Sequence, residues 1–440
     1  MKKVIIMGAA GRDFHVFNTC YRNNPDVRIV AFTAEQIPHI DDRIYPPVLA
    51  GTQYPEGIPI HPESKLVDLI KEHQVSDVIF AYSDVSLETI QEKRSLVESA
   101  GANFNTFDID ATMIPSTKAV IAITAVRTGC GKSQTARRVD SLLHNAGYRT
   151  VAIRHPMPYG VLRKQVVQRF ATLEDMDKHE CTIEEREEYE PHINNGAIVY
   201  AGVDYEAVLR QAEQEADVIV WDGGNNDAPF YKPDLWITVV DPHRPGHELK
   251  YFPGTVNFER ADIIVINKIN TATPEDVAVI EANARKVNPD AVIVHAESPV
   301  DAVDPDAIQG KRILAVEDGP TLTHGGMKFG AAVVAAKKWG AAEIVDPRPW
   351  VVGEIAKTFE VYPDIGPVLP AMGYGEQQIA DLESTINAVD CDLVLIGTPI
   401  DLGRLIKINK PSQRITYELS ERGKVLADAV LATAGTTAPA

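Results

Sequence analysis

Ala119-Val120-Ile121-Ala122-Ile123-Thr124, followed by Arg127-Thr128-Gly129-Cys130-Gly131-Lys132-Ser133 and an amphipathic segment that runs to about Asn145 and closes with Gly147, decides the fold. The order is buried strand, glycine-rich turn, helix. Glycines in such a turn let backbone N–H groups point inward around phosphate oxygens, and the helix N-terminus adds its partial positive charge. Lys132 then supplies a point charge for the β- and γ-phosphates, and Ser133 is placed to reach a magnesium ion. The expected nucleotide contacts run through Thr128, Gly129, Cys130, Gly131, Lys132, Ser133 and Gln134. The common form of this motif opens with a glycine where Val126 stands. Attention therefore shifts to Arg127, which occupies the place of the basic residue that opens a variant loop and reaches a γ-phosphate, often across a dimer.

Two further strand ends belong to the same edge. Val218-Ile219-Val220-Trp221-Asp222-Gly223-Gly224-Asn225-Asn226-Asp227 is an apolar run ending in a carboxylate, at the carboxyl edge where ligands sit in open α/β sheets. Asp222 is the expected magnesium acid, held directly or through water. Ile264-Val265-Ile266-Asn267-Lys268-Ile269-Asn270 resembles the base-recognition element of G-proteins, with Asn267 and Lys268 flanking the base. The carboxylate that would accept two hydrogen bonds from guanine is replaced by the amide of Asn270, which favours ATP over GTP.

Cationic side chains gather on loops after other strands. Arg154-His155-Pro156-Met157-Pro158-Tyr159-Gly160, Asp241-Pro242-His243-Arg244-Pro245-Gly246-His247 and Glu317-Asp318-Gly319-Pro320-Thr321-Leu322-Thr323-His324 all follow apolar runs. They predict a locally positive pocket for a small anionic substrate, with Arg154, His155, His243, Arg244, His247 and His324 as its candidates. Near the N-terminus, Gly8-Ala9-Ala10-Gly11-Arg12-Asp13-Phe14-His15 is a strand-to-helix turn but not a full dinucleotide fingerprint. Arg12 and His15 are candidates for a substrate phosphate across a domain cleft.

At 440 residues the chain exceeds what one core serves. Alternating β-branched runs and amphipathic segments predict α/β throughout. We expect a Rossmann-like N-terminal domain over 1–115, with strands near 4–7, 27–32 and 77–81 and helices near 63–73 and 86–100. A doubly wound P-loop NTPase domain follows over 116–345, its strands running on to 313–316. A C-terminal α/β extension covers 346–440, either a unit of its own or part of the P-loop sheet, with a buried strand at 393–396 after a helix at 376–389, and a frayed tail over 432–440. An acidic insertion over 171–191 carries the spacing of a capping box, Thr182 with Glu185. It reads either as a solvated helix face or as a lid beside the nucleotide.

The balance of 43 basic against 62 acidic residues, a net charge of −19, opposes attraction to nucleic acid or to an anionic membrane surface. Four scattered cysteines form no CxxC pair, which fits a reducing cytoplasm. No apolar run approaches the roughly 20 residues that cross a bilayer.

Taken together, GAAGRDFH, RTGCGKS, RHPMPYG, EEREEYEPH, WDGGNND, DPHRPGHE and EDGPTLTHGG resemble the cyclic 2,3-diphosphoglycerate synthetase family. The resemblance implies a cytoplasmic, homodimeric ligase that turns ATP and 2,3-diphosphoglycerate into the cyclic pyrophosphate, ADP and phosphate with magnesium. It implies Lys132 and Arg127 on the γ-phosphate, Ser133 and Asp222 on the metal, and Arg154, His155 and Arg244 on the diphosphate. The alternative is a regulatory or maturation GTPase of the metallochaperone type, against which stand Asn270 and the lack of a Cys/His cluster.

Overall fold

The computed structural model describes residues 1–35, 43–156, 162–224, 227–372, 376–399 and 402–436. Three sheets account for most of its strands, and their central strands are apolar runs buried on both faces.

The first sheet has the order 43–45, 58–62, 27–34, 2–7, 77–80, 103–106, parallel except for the hairpin at its 43–45 edge. Helices Leu66–His73 and Leu87–Ser99 stand where the 3.6-residue period places them. One face of this sheet packs Phe14, Phe17, Phe32 and Tyr45 into a core that also takes Val203, Ala228 and Trp236 from the middle of the chain.

The second sheet has nine strands in the order 168–170, 198–201, 150–154, 218–221, 119–125, 235–240, 263–266, 292–297, 420–421. Its seven inner strands are parallel. Strand Ala119–Ala125, fully buried along its length, leads into helix Lys132–Asn145. This strand is central, and the chain places its next strands first on one side and then on the other, which is the switch point where α/β sheets open a crevice.

The third sheet corrects one expectation. The run at 313–316 does not extend the second sheet. It lies within strand Arg312–Asp318, which pairs with Leu393–Ile396, Glu343–Ile344 and Leu369–Ala371. An apolar run buried on both faces reads the same in either sheet, because periodicity does not say which neighbours it will have. Strand Ser412–Tyr417 flanks Leu393–Ile396 and carries Val300–Ala302 on its other side.

The tail is also corrected. After the third sheet the chain returns: Ser420–Glu421 pairs with Val292–Glu297 at the edge of the second sheet. Helix Val425–Gly435 then buries Leu426, Val430 and Ala434 in that sheet's core. Small apolar residues look like a frayed end in sequence, yet here they make a helical face that packs closely; residues 437–440 lie outside the described ones. No helix among the described residues is long and apolar enough to cross a membrane.

Candidate functional site

The glycine-rich turn adopts the geometry its composition predicts. Gly129 and Gly131 have φ of +82° and +108°, conformations that glycine reaches without strain. Gly131 is the N-cap of helix Lys132–Asn145. A Cβ there would stand 2.1 Å from the Asn267 amide nitrogen, so Gly131 is fixed by contact as well as by φ.

Asn267 and Lys268 hold the turn from below. The Asn267 amide donates to the Cys130 carbonyl at 3.0 Å, and the Lys268 ammonium donates to the Gly129 carbonyl at 2.5 Å and pairs with Asp241 at 2.7 Å. Asn270 accepts from the Ser298 N–H at 2.9 Å. Arg244 donates to the carbonyls of Thr128 (2.9 Å) and Gly325 (2.6 Å) and pairs with Asp241. Asp241 stays ionised despite its burial, because Lys268, His243 and Arg244 surround it.

Arg127 is expected at the γ-phosphate, and the structure turns it elsewhere. Its Nε donates to Asp84 at 2.6 Å, its Nη2 to the His324 carbonyl at 2.8 Å, and its guanidinium lies 3.6 Å from the Tyr251 ring centroid. His247 accepts from Arg127 through Nδ1 at 2.9 Å; burial first, then the Arg127 and Arg244 charges, push its pKa down to about 4. The Thr128 N–H and hydroxyl also bind Asp84. Arg127 thus ties the turn to the first sheet.

Behind the turn lies a buried charge network. Lys132 reaches Asp222 at 2.5 Å, Arg154 reaches it at 2.6 Å, and His192 Nε2 at 3.1 Å. Arg154 also pairs with Glu188 at 2.5 Å, and His192 Nδ1 with Asp140 at 2.5 Å. Burial would raise the Asp222 pKa, but Arg154, Lys132 and His192 outweigh it and hold the carboxylate well below its usual range. Burial, and then the Arg154 charge, lower the Lys132 pKa. His192 is pushed up to about 9, since Asp140 and Asp222 overcome its desolvation.

A cavity of about 220 Å³ opens above the turn. From the expected residues it is lined by Thr128, Gly129, Gly131, Lys132, Ser133 and Gln134, and by Arg154, His243 and Lys268. Its opposite wall includes the expected loop after 313–316, with its carboxylates and not His324 at the cavity. Glu317 and Asp318 end the central strand of the third sheet, Phe329 and Gly330 follow, and Tyr417 closes the neighbouring strand. Helix Ile183–Asn194 adds Glu187 and Glu188. The capping box of Thr182 and Glu185 is present, and this helix turns carboxylates toward the cavity, so it is more than a solvated face. Two sheets therefore present their carboxyl edges to one space.

The pocket is not uniformly positive: Lys132, Arg154, His243 and Lys268 stand there among Glu187, Glu188, Glu317 and Asp318. Arg154 and Arg244 are paired as described, and His243 Nδ1 is held by Asp241 at 2.8 Å. His155, Arg12 and His15 lie away from the cavity, in the junction of the first and second sheets. His155 binds Asp227 at 2.9 Å and the Tyr205 hydroxyl. The Arg12 guanidinium lies 4.0 Å from the Phe230 ring centroid and 3.8 Å from Asp227, and His15 stacks on Phe230 and contacts the Thr112 carbonyl at 2.6 Å. The ring of His324 stands edge-on to Tyr362. Met157-Pro158-Tyr159-Gly160 and Asn225-Asn226 lie outside the described residues. A cation on a strand-end loop is legible in sequence; the carboxylate it will meet is not.

Strand, glycine turn, helix and lysine in this arrangement define a P-loop NTPase-like α/β protein with a second α/β wall over its phosphate cradle. The chain is 62% identical to the arginine synthetase ArcE of Thermococcus kodakarensis over 423 residues, 96% of this chain and 94% of that protein. It belongs to the family of that synthetase. No family model matches the chain. Among solved structures, LpxK from Aquifex aeolicus, in complex with ATP, aligns over 79% of this chain and 95% of its own with 12% identity and a TM-score of 0.43, a likeness too distant to inform the site.

Proposed function

We propose that the protein is an ATP-dependent synthetase that transfers a γ-phosphoryl group to the oxygen of a ureido amino acid and then replaces that oxygen by ammonia, giving arginine, ADP and phosphate. The observation that carries this reading is the composition of the cavity wall. Beside Lys132 and the glycine turn stand Glu187, Glu188, Glu317 and Asp318. Carboxylates at this wall, of which Glu188 is already paired with Arg154, suit a substrate with an ammonium group and a product with a guanidinium. The name of the Thermococcus relative supports the same product.

The cradle fits the nucleotide. Lys132 rests on Asp222 and would leave it for the β- and γ-phosphate oxygens, with Arg154 and His192 left to compensate Asp222. Ser133 lines the cavity beside it and would hold magnesium together with those phosphate oxygens; the ion would neutralise charge on the transferring group. Both Asp222 oxygens already have partners, so its part is to orient Lys132 and Arg154. Asn267 and Lys268 brace the glycine turn.

A second reading keeps the same first step. The motifs shared with cyclic 2,3-diphosphoglycerate synthetases favour transfer to a substrate phosphate followed by ring closure. It asks the cavity to hold a bisphosphate beside ATP while Arg154 and Arg244 are paired with carboxylates and Arg12 lies outside, and like charge disfavours that. The two readings separate in one experiment. With ATP, magnesium and ammonium, a ureido amino acid should stimulate ADP release and yield arginine by mass spectrometry. Stimulation by 2,3-diphosphoglycerate, with a cyclic pyrophosphate in the phosphorus NMR spectrum, would establish the second reading instead.

A further inference from the structure

Glu317 differs from its cavity neighbours Glu188 and Asp318. It ends the central strand of the third sheet, faces the space shared with Lys132 and Arg154, and is only 1% exposed. Three backbone N–H groups hold it: Gly330 at 3.1 Å and Val333 at 2.9 Å on Oε1, Ala332 at 3.2 Å on Oε2. Among the described residues no Lys, Arg or His is paired with it. Two glycines make room for it, since a Cβ on Gly330 or Gly397 would come within 2.5 or 2.4 Å of Oε2. By contrast Glu188 is neutralised by Arg154, and Asp318 binds Thr321 in its own turn.

A carboxylate fixed by dipoles alone, with no cation to hold its proton off, can gain and lose a proton during a reaction. We propose that Glu317 is the proton acceptor for the incoming nitrogen in the second half of the synthetase reaction, an inference that rests on the function proposed above. As ammonia attacks the phosphorylated ureido carbon, the new C–N bond forms and Glu317 takes one proton from that nitrogen. The C–O bond then breaks, phosphate leaves with the electron pair and receives the proton, and Glu317 returns to its carboxylate. Burial pushes the Glu317 pKa up to about 7, against the three N–H donors and with help from Asp318, which suits a base working near neutrality.

Glu317→Gln keeps the size of the side chain and removes its basicity, and Glu317→Asp keeps the charge on a shorter stem. In Glu317→Gln, arginine formation from ammonium should fall about 10²-fold or more, and the acid limb near neutrality that remains once rates are referred to free ammonia should disappear. Isotope scrambling of the ATP β,γ-bridge oxygen, measured with the ureido substrate and no ammonium, should persist. Hydroxylamine, a nucleophile that needs less help, should restore product formation. Glu317→Asp should keep the acid limb at a reduced rate. Loss of scrambling together with synthesis, and no rescue by hydroxylamine, would mean that Glu317 only caps the helix at Ala331, and would overturn the role. Unchanged synthesis in Glu317→Gln would overturn it as well. If the unaltered enzyme makes no arginine at all, the proposed function itself falls and the role with it.

Discussion

At the scale of single residues, the site is governed by how Asp222 is shared. Lys132, Arg154 and His192 converge on one buried carboxylate, so removing any of them leaves charge uncompensated in low dielectric. His192 gives this a measurable pH signature. Its pKa is about 9 in the folded protein against an ordinary 6.5, so its ion pairs stabilise fully below about pH 6.5 and the contribution is lost as pH rises through 9. Chemical denaturation of the unaltered protein should therefore show stability declining from pH 6.5 to 9, by on the order of 3 kcal/mol from this group. His192→Gln should flatten that decline; a variant with the same slope would show that His192 is not charged in the fold. The sequence made Lys132 and Asp222 legible, because a glycine turn and an apolar strand ending in Asp carry their own context. It did not reveal His192, which sits within an acidic run where a histidine has no pattern of its own.

Among elements, helix Ile183–Asn194 shows how a local signal can be read correctly and still be underestimated. Thr182 accepts from the Glu185 N–H at 3.2 Å, and Glu185 accepts from the Thr182 N–H at 2.9 Å. The spacing alone identifies this capping box, but not which face of the helix meets the cavity, since the cavity's far wall comes from strand Arg312–Asp318 of another sheet. Thr182→Ala should cost about 1 kcal/mol in urea unfolding. Because Glu187 and Glu188 follow the cap directly, it should also raise KM for the second substrate more than KM for ATP. An equal rise in both, or none, would separate the helix from substrate recognition. The strand Arg312–Asp318 is the opposite case: its apolar pattern marks it plainly as a strand, and only pairing with Leu393–Ile396 puts Glu317 across from the glycine turn.

For the whole molecule, the first sheet serves the site through contact and not through a ligand loop of its own. Asp84 anchors Arg127 and Thr128, and the Arg12, His155 and Asp227 cluster locks the first sheet onto the second. Asp227→Ala would strand the Arg12 guanidinium, 3% exposed, and should cost about 3–5 kcal/mol in denaturant unfolding. A loss under 1 kcal/mol would show that the junction tolerates an unpaired charge. The cationic residues are visible in sequence as candidates for an anion; what is not visible is that the fold pairs Arg154, Arg244 and His243 with carboxylates and brings Glu187, Glu317 and Asp318 to the same cavity.

The central claim is that a phosphoryl group activates an oxygen of the second substrate, which nitrogen then displaces. The direct measurement uses a ureido amino acid labelled with oxygen-18, incubated with ATP, magnesium and ammonium, with the inorganic phosphate examined by mass spectrometry. The account predicts one labelled oxygen in phosphate for each arginine formed. Unlabelled phosphate alongside arginine, or phosphate released with no arginine, would contradict it.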